Sequence, residues 1–412
     1  MRTHDAVIIG GGPAGLAAAV ELKRQGIDDI LIIEREKHLG GILRQCIHDG
    51  FGLTRFGVTL SGPEYSQRFI DMAHELGVET ITNATVIDLD SEKVITAATQ
   101  EGLLQVKGKA VILSMGCRER TRGALAIPGS RPAGVYNAGV TQSYVNLYNT
   151  MVGKEVVILG SGDIGLIMAR RLTLEGAHVK AVLEIMPYPS GLPRNIEQCL
   201  NDYDIPLYLS HTVADIVGDE RIEGVKVVKV DENLRPIEGT EEFFSCDTLV
   251  LSVGLIPENE ISLAAGVKLD WRTNGAVVDE YYQSSVPGIF AAGNVLHVHD
   301  LVDFVSKEAE AMAKGAAEYI KNDGLPECKL EVKASSDIGH LIPQKVSGKN
   351  DFKLSLRVRK PWGKCCLEVR QGERVLKALK LNKAIPAEMI ELMIPAEKMV
   401  EDQDVEVVVY EV

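Results

Sequence analysis

The chain has 412 residues, 45% of them hydrophobic, and is therefore long enough to bury more than one core and to form several domains. Its formal net charge of -14 and its pI near 5.2 would repel a phosphodiester backbone, which argues against nucleic acid as a partner. No stretch approaches the roughly 20 apolar residues that cross a bilayer, so no integral membrane segment is expected.

The cysteines indicate a reducing compartment. They are odd in number and scattered, and no C-x-x-C or C-x-x-x-x-C pair occurs, which is unlike the disulfide framework of a secreted protein. The apolar N-terminal stretch is rich in glycine and lacks the continuous hydrophobic run of a signal peptide. We therefore expect a cytoplasmic protein.

The same local pattern occurs twice along the chain. Residues 5–15 and 155–165 each predict an apolar strand, a tight glycine turn and the start of a helix. Both turns follow the G-x-G-x-x-G spacing, with the glycines Gly10, Gly12 and Gly15, then Gly160, Gly162 and Gly165. A second apolar strand then ends on an acid, Glu34 or Glu184, close to the roughly 20 residues beyond the turn that a dinucleotide fold requires.

This pattern carries a physical mechanism. The first glycine permits the tight turn, the second lets the backbone approach a pyrophosphate, and the third lets the helix pack on the strand. The helix N-terminus supplies N–H donors and the positive end of a dipole. A third recurrent strand, at residues 110–116 and 248–254, follows a small β excursion in each half, which favours an internal duplication.

With these two fingerprints the sequence resembles the flavoproteins with two dinucleotide-binding domains, a family that includes the pyridine nucleotide-disulfide oxidoreductases. The resemblance implies that the first fingerprint binds FAD, the second binds NAD(P)H, and the chain then returns to the FAD domain. Residues 286–294, VPGIFAAGN, are similar to that returning strand, and a helix from about Leu301 to Lys321 is expected after it. The family normally has Asp after the last glycine of this strand, where this chain has Asn294.

Further motifs resemble one branch of that family. Residues 115–120 (MGCRER), 127–129 (IPG) and 134–139 (GVYNAG) are similar to the flavin subunits of hydrogen cyanide synthase, opine oxidase and sarcosine oxidase. Residues 40–48 and 160–171 resemble the oxidoreductases that accompany anaerobic-type glycerol-3-phosphate dehydrogenases. The resemblance covers roughly residues 1–325.

The expected fold class is α/β, with two duplicated Rossmann-like domains for FAD and NAD and a small C-terminal antiparallel β-sandwich. The FAD domain is predicted at residues 1–120 and 257–325, the NAD(P) domain at 121–256, and the sandwich at 326–412. The last assignment rests on period-two alternation at 352–359, 367–370, 375–381, 389–394 and 405–410.

The fingerprints and the resemblance together imply two sets of cofactor-binding residues. For FAD they are Gly10, Gly12, Pro13, Ala14, Gly15, Glu34, Arg35, Gly41, Val86, Gly116, Gly293, Asn294 and Asp303. For NAD(H) they are Gly160, Gly162, Asp163, Ile164, Gly165, Glu184 and Gly254. Glu184 would bind a ribose diol and oppose a 2′-phosphate, so NADH is favoured over NADPH, with Lys180 and the Arg170-Arg171 pair as the contrary signal.

Cys46 is the candidate catalytic thiol, because the resemblance places the Gly40-Gly41 loop near the flavin. Disulfide reductases need two neighbouring thiols, and Cys46 has no such partner in sequence, but a single-cysteine sulfenic acid mechanism needs only one. The histidines show neither H-x-x-x-H nor cysteine-paired spacing, so no metal site is expected.

The expected function is hydride transfer between NAD(H) and flavin, with electrons exchanged with a further acceptor. The resemblance suggests a partner dehydrogenase subunit, such as one oxidising glycerol 3-phosphate, or a homo-oligomer. Two alternatives stay open: a thiol-dependent NADH oxidase, peroxidase or disulfide reductase using Cys46, and a flavoprotein scaffold without nucleotide turnover.

Overall fold

The computed structural model describes residues 1–400 and 402–412. By contacts between residues the chain divides into two compact units. The larger unit combines Met1–Cys117 with Pro257–Val412, and the smaller unit is Arg118–Ile256.

The first segment of the larger unit is built around a parallel sheet. Its helices and strands are β1 (Arg2–Ile9), α1 (Pro13–Arg24), β2 (Ile30–Ile33), α2 (Leu53–Phe56), α3 (Gly62–Glu75), β3 (Glu79–Ile81), β4 (Thr85–Leu89), β5 (Val94–Thr99) and β6 (Gly102–Leu113). Strand β1 is parallel to β2 and to β6, whereas β4, β5 and β6 are antiparallel neighbours. The four residues of β2 are apolar and all buried, which is the pattern of a parallel strand covered on both faces.

The middle of the chain repeats this arrangement. Its elements are β7 (Cys117–Glu119), α4 (Arg122–Leu125), β8 (Val135–Asn137), α5 (Ala138–Tyr148), β9 (Glu155–Leu159), α6 (Asp163–Leu174), β10 (His178–Glu184), α7 (Pro193–Cys199), β11 (Leu207–Leu209), β12 (His211–Gly218), β13 (Ile222–Lys229), β14 (Glu242–Ser245), β15 (Thr248–Leu251) and β16 (Leu255–Pro257). The parallel sheet has the order β11-β10-β9-β15-β8. The first sheet begins with the equivalent order β3-β2-β1-β6, so the predicted duplication is present in the fold.

The chain then returns to the larger unit. The elements that follow are α8 (Glu260–Ala264), β17 (Ile289–Ala291), α9 (Val302–Asn322), β18 (Leu330–Ala334), β19 (Ile338–Ile342), β20 (Lys345–Val346), β21 (Phe352–Val358), β22 (Cys365–Gln371), β23 (Arg374–Leu381), β24 (Ile390–Ile394) and β25 (Val405–Glu411). Strand β17 pairs in parallel with the end of β6, with Ile289 opposite Val111. The predicted return to the first sheet is therefore confirmed, and the helix expected from about Leu301 is α9.

The C-terminal region is a β-sandwich, as predicted. A five-stranded sheet of order β20-β18-β25-β22-β23 and a three-stranded sheet of order β19-β21-β24 share one apolar core. The strand pairs are antiparallel except β18 and β25, which are parallel. Strands β18 to β20 were not predicted from the sequence.

None of the helices within residues 1–400 and 402–412 combines the length and apolar character needed to span a bilayer.

Candidate cofactor sites

The first glycine turn accepts only glycine at two of its positions. Gly10 has φ +106°, and a Cβ there would come within 2.5 Å of the carbonyl oxygen of Ser114. A Cβ on Gly15 would overlap the carbonyl oxygen of Gly10. These two glycines therefore let β1, α1 and the end of β6 approach one another, as the fingerprint predicts.

Gly12 faces open space instead of protein. A Cβ on Gly12 would meet only the Cα of Gly41, at 3.8 Å. Gly12 is also the N-cap of α1, Pro13 follows it, and no side chain of the described structure caps the helix. The turn thus forms an open cradle at a helix N-terminus, which fits a pyrophosphate.

Glu34 lies at the end of β2 with only 6% of its surface exposed. One carboxylate oxygen accepts the backbone N–H of Gly11 at 2.6 Å, and the other accepts that of Glu36 at 2.8 Å. An ionised carboxylate has about four acceptor positions, so these two bonds leave capacity for a ribose diol. The geometry fits the role that the sequence predicts for Glu34.

Three more predicted FAD residues join this cradle. The N–H of Gly40 donates to the carbonyl oxygen of Gly11 at 2.8 Å, which brings Gly41 beside Gly12. A Cβ on Gly293 would lie 2.9 Å from the Cβ of Ala14, so the returning segment passes close to α1. Segments distant in sequence therefore meet at one site.

Gly116 and Asn294 lie at the ends of strands in the same unit. Gly116 has φ +74°, and its carbonyl oxygen accepts the N–H of Glu258 at 3.0 Å. The amide of Asn294 accepts the backbone N–H of His299 at 3.1 Å and donates to Sγ of Cys117 at 3.7 Å. Asn294 thus holds its own loop in place at the position where the family normally has Asp.

The remaining predicted FAD residues are Arg35, Val86 and Asp303. Arg35 is exposed, and Val86 lies in β4, where it is partly buried against the core. The carboxylate of Asp303 accepts three backbone N–H groups of residues 52–55, at 3.0, 2.7 and 3.3 Å. Asp303 therefore anchors the loop that begins α2, and its assignment to FAD gains no support from this geometry.

The glycine turn of the smaller unit is packed in the same way. Gly160 has φ +100°, and a Cβ there would overlap the carbonyl oxygen of Ser252, the counterpart of Ser114. Gly165 faces Ser252 as Gly15 faces Ser114, and its N–H donates to the Ser252 hydroxyl at 3.0 Å. Gly162 is the N-cap of α6. The atom nearest to a Cβ added at Gly162 would be the Ser252 hydroxyl oxygen, at 3.5 Å.

Glu184 holds the second turn as Glu34 holds the first, but it has more partners. It is 4% exposed and accepts the N–H of Ser161 at 3.1 Å and that of Met186 at 3.0 Å. The hydroxyls of Ser161 and Ser190 donate to the same carboxylate oxygen, at 2.6 and 2.9 Å. Most of the acceptor capacity of Glu184 is therefore used within the protein. Oε2 accepts three bonds and Oε1 accepts the N–H of Met186, so Oε1 is the better placed to accept a ribose hydroxyl.

The other predicted NAD(H) residues have mixed positions. One carboxylate oxygen of Asp163 accepts the N–H of Leu192 at 2.8 Å and the side-chain amide of Asn195 at 2.6 Å, so Asp163 fixes the loop after β10. Ile164 is partly buried against the apolar core. Gly254 has φ +98°, which favours glycine at the end of its strand.

The basic residues that could have favoured NADPH have other partners. Lys180 donates to the carbonyl and hydroxyl oxygens of Ser245 and pairs with Glu155 at 3.0 Å. Arg170 donates to the Tyr203 hydroxyl at 3.2 Å. Arg171 donates to the side chain of Asn146 at 3.0 Å and pairs with Glu175 at 2.7 Å.

The surroundings of Cys46 favour the protonated thiol. Burial raises its pKa to about 12, and the thiol donates to the carbonyl oxygen of Ile42 at 3.4 Å. The thiolate is the nucleophilic form, so such a thiol is largely protonated at neutral pH. No disulfide joins any of the seven cysteines in the described structure. The candidate catalytic role of Cys46 therefore gains no support from its surroundings.

Sequence reasoning missed a buried cluster beside the returning strand. His297 Nε2 lies 2.6 Å from a carboxylate oxygen of Glu308, and His299 Nε2 lies 3.3 Å from the same oxygen. Burial opposes the ionisation of Glu308, but the two imidazoles outweigh it and hold the pKa of Glu308 well below its usual range. Burial also lowers the pKa of His340, next to His297, to about 2. The spacing of two and eleven residues is neither the H-x-x-x-H nor the cysteine-paired pattern of a metal site.

Comparison with known proteins agrees with this geometry. The chain is similar to the glutamate synthase [NADPH] small chain of Mycobacterium tuberculosis, with 26% identity over 76% of this chain and 66% of that protein. It is also similar to the hydrogen cyanide synthase subunit HcnB of Pseudomonas protegens, with 26% identity over 70% of this chain and 65% of that protein. The chain thus spans just under two thirds of the length of these relatives.

A solved structure shows the same architecture. Thioredoxin reductase of T. acidophilum superposes with a TM-score of 0.64 and 25% identity, over 77% of this chain and 99% of that one. The family model for pyridine nucleotide-disulphide oxidoreductases matches residues 4–316. The resemblance inferred from the sequence is thereby confirmed, and the chain belongs to the pyridine nucleotide-disulphide oxidoreductase family, whose members are FAD-dependent NAD(P)H oxidoreductases.

Proposed function

We propose that this chain binds FAD on the first glycine turn and NADH on the second, and that it catalyses electron exchange between NAD(H) and a further acceptor. The observation that carries the proposal is the repetition of one set of bonds. In each module an acid at the end of the second strand holds the glycine turn and a backbone N–H two residues further along. When bound, FAD supplies the ring that exchanges hydride with the nicotinamide, and the protein supplies position and electrostatics.

The preference for NADH rests on charge. Glu184 opposes a 2′-phosphate, while Lys180, Arg170 and Arg171 bond to other groups of the smaller unit. A bound 2′-phosphate would have to compete with those partners for any of the three cations. NADH has no such phosphate, so its binding involves neither repulsion by Glu184 nor competition for the three cations.

We further propose that the chain exchanges electrons with a separate dehydrogenase subunit, for which an enzyme that oxidises glycerol 3-phosphate is the candidate, and that the complex resides in the cytoplasm. With that partner the electrons would flow from the dehydrogenase through the flavin to NAD⁺. The names of two relatives support a subunit role, because one is the small chain of glutamate synthase and the other is a subunit of hydrogen cyanide synthase. A homo-oligomer is the simpler alternative.

The test is anaerobic mixing of the purified protein with NADH. We expect full bleaching of the flavin, followed by rapid reoxidation by artificial dyes but not by glutathione disulfide or peroxide. No bleaching by NADH or NADPH would remove the catalytic proposal and leave the scaffold alternative. Proteins that co-purify from native cells identify the acceptor, and recovery of the chain alone in homo-oligomers would contradict the partner proposal.

A second function is favoured by the similarity to thioredoxin reductase of T. acidophilum. A thiol-dependent reductase would need Cys46 as a thiolate, or two cysteines brought together by folding. The raised pKa of Cys46 and the absence of any disulfide in the described residues weigh against it. Fast turnover with peroxide or a disulfide would establish this alternative instead.

A further inference from the structure

A buried group of two histidines and a glutamate lies between the returning strand and α9. His297 and Glu308 are each 1% exposed, and the side chain of His299 is 3% exposed. One nitrogen or oxygen atom of each lies within 4.8 Å of those of the other two. The group lies next to Gly293 and Asn294, which are predicted FAD residues, but no step of the function proposed above uses it.

Each of the three side chains also contacts a polar atom outside the cluster. His297 Nδ1 lies 3.4 Å from Nε2 of His340, in β19 of the sandwich. His299 Nδ1 lies 3.3 Å from the side-chain oxygen of Asn294. The second oxygen of Glu308 accepts the N–H of Gly293 at 2.8 Å. Metal-binding histidines and carboxylates are typically oriented by outer partners of this kind.

The bonds of Asn294 settle the orientation of its amide and so the proton on His299. Its oxygen accepts the backbone N–H of His299, and its nitrogen donates to Cys117, so the oxygen is the atom that faces His299 Nδ1. Oxygen is only an acceptor there, and Nδ1 must therefore carry hydrogen. In a neutral imidazole the lone pair then lies on Nε2, which faces the Glu308 carboxylate at 3.3 Å.

Two acceptors that face each other in a buried site need a proton or a metal ion between them. A second proton on His299 is one solution, and a bound metal ion is the other. We propose that His297 Nε2, His299 Nε2 and the shared oxygen of Glu308 bind one divalent first-row transition-metal ion, of the Zn²⁺ or Fe²⁺ type. Two imidazoles and one carboxylate form a common ligand set for such ions.

The spacing of the three atoms is compatible with this ion. Ligand atoms at about 2.0–2.1 Å from a tetrahedral ion lie about 3.3 Å apart. The distance from Glu308 to His299 is 3.3 Å already, whereas that to His297, 2.6 Å, would have to lengthen by about 0.7 Å when the ion binds. The ion would tie the loop after β17 to α9, and through His340 to the sandwich.

The test measures metal directly. Protein purified without chelator is assayed by inductively coupled plasma mass spectrometry, then stripped with a chelator and titrated with Co²⁺, whose visible bands report nitrogen and oxygen ligands. We expect about one equivalent of metal per chain. His299→Gln and Glu308→Gln should lose it, and His178→Gln, at an exposed position in the smaller unit, should retain it.

The wild-type titration decides the question if the variants fail to fold. No metal on purification together with no Co²⁺ uptake by the stripped wild-type protein would overturn the proposal, and ¹⁵N shifts of a doubly protonated His299 would then identify an ion pair instead. Retention of the metal by both folded variants would also overturn it. Flavin content is recorded alongside, so that loss of FAD is distinguished from loss of the ion.

Discussion

Replacement of Gly12 tests the FAD site without disturbing the protein core. Gly12 has φ -79° and ψ -171°, an extended conformation that any residue adopts, and a Cβ there meets only Gly41 at 3.8 Å. Loss of glycine at this N-cap costs the fold on the order of 1 kcal/mol. Each added carbon projects instead into the space where the pyrophosphate is proposed to lie.

The expected effect on FAD binding is at least as large as the effect on folding stability. Overpacking of a close contact costs about 1–3 kcal/mol, and 1.4 kcal/mol is a factor of ten in affinity. Gly12→Ala should therefore weaken FAD binding by roughly ten- to a hundredfold. Gly12→Val, with two further carbons, should purify colourless.

The assay combines flavin absorbance per chain with titration of FAD into each apoprotein. Gly363→Ala is the matched control, because Gly363 is exposed and a Cβ there meets nothing within 4 Å. Thermal unfolding of the apoproteins should agree within a few degrees. If folded Gly12→Val retains FAD with the affinity of the wild type, the pyrophosphate does not pass this turn and our assignment of the site is wrong.

Three further predictions test the other assignments. NADH should reduce the flavin more efficiently than NADPH, and the ratio of the two efficiencies should fall severalfold in Glu184→Ala. The ratio should stay unchanged in Glu232→Ala, which removes an exposed carboxylate of the same unit. A preference of the wild type for NADPH would contradict the charge argument. Cys46→Ser should keep most dye-linked activity, because burial already raises the pKa of this thiol to about 12, and loss of activity with FAD still bound would favour the thiol mechanism. Burial raises the pKa of Asp279 from 3.8 to about 6, so in this pH range the folded state keeps a proton that the unfolded state loses. The contribution of this proton to the free energy of unfolding should be complete below about pH 4 and lost as pH rises through 6. In urea unfolding, the stability of Asp279→Asn should depend less on pH than that of the wild type.

The sequence by itself determined the elements whose signals are local. The turns at Gly10 and Gly160 need a positive φ, and the apolar strands before them need burial on both faces, so both modules were predictable from residue type and spacing. The five strands from β21 to β25 were predictable for the same reason, since period-two alternation records which face is buried.

Only the tertiary structure decided which distant residues meet. Gly41 and Gly293 reach the first cradle through chain reversals, and Asp303 turns its carboxylate to residues 52–55 because α9 packs beside that loop. The cluster of His297, His299 and Glu308 could not be predicted from the sequence for a similar reason. Two of its members share a loop and the third lies on a helix, so their convergence depends on the path of the backbone between them and not on any repeating interval.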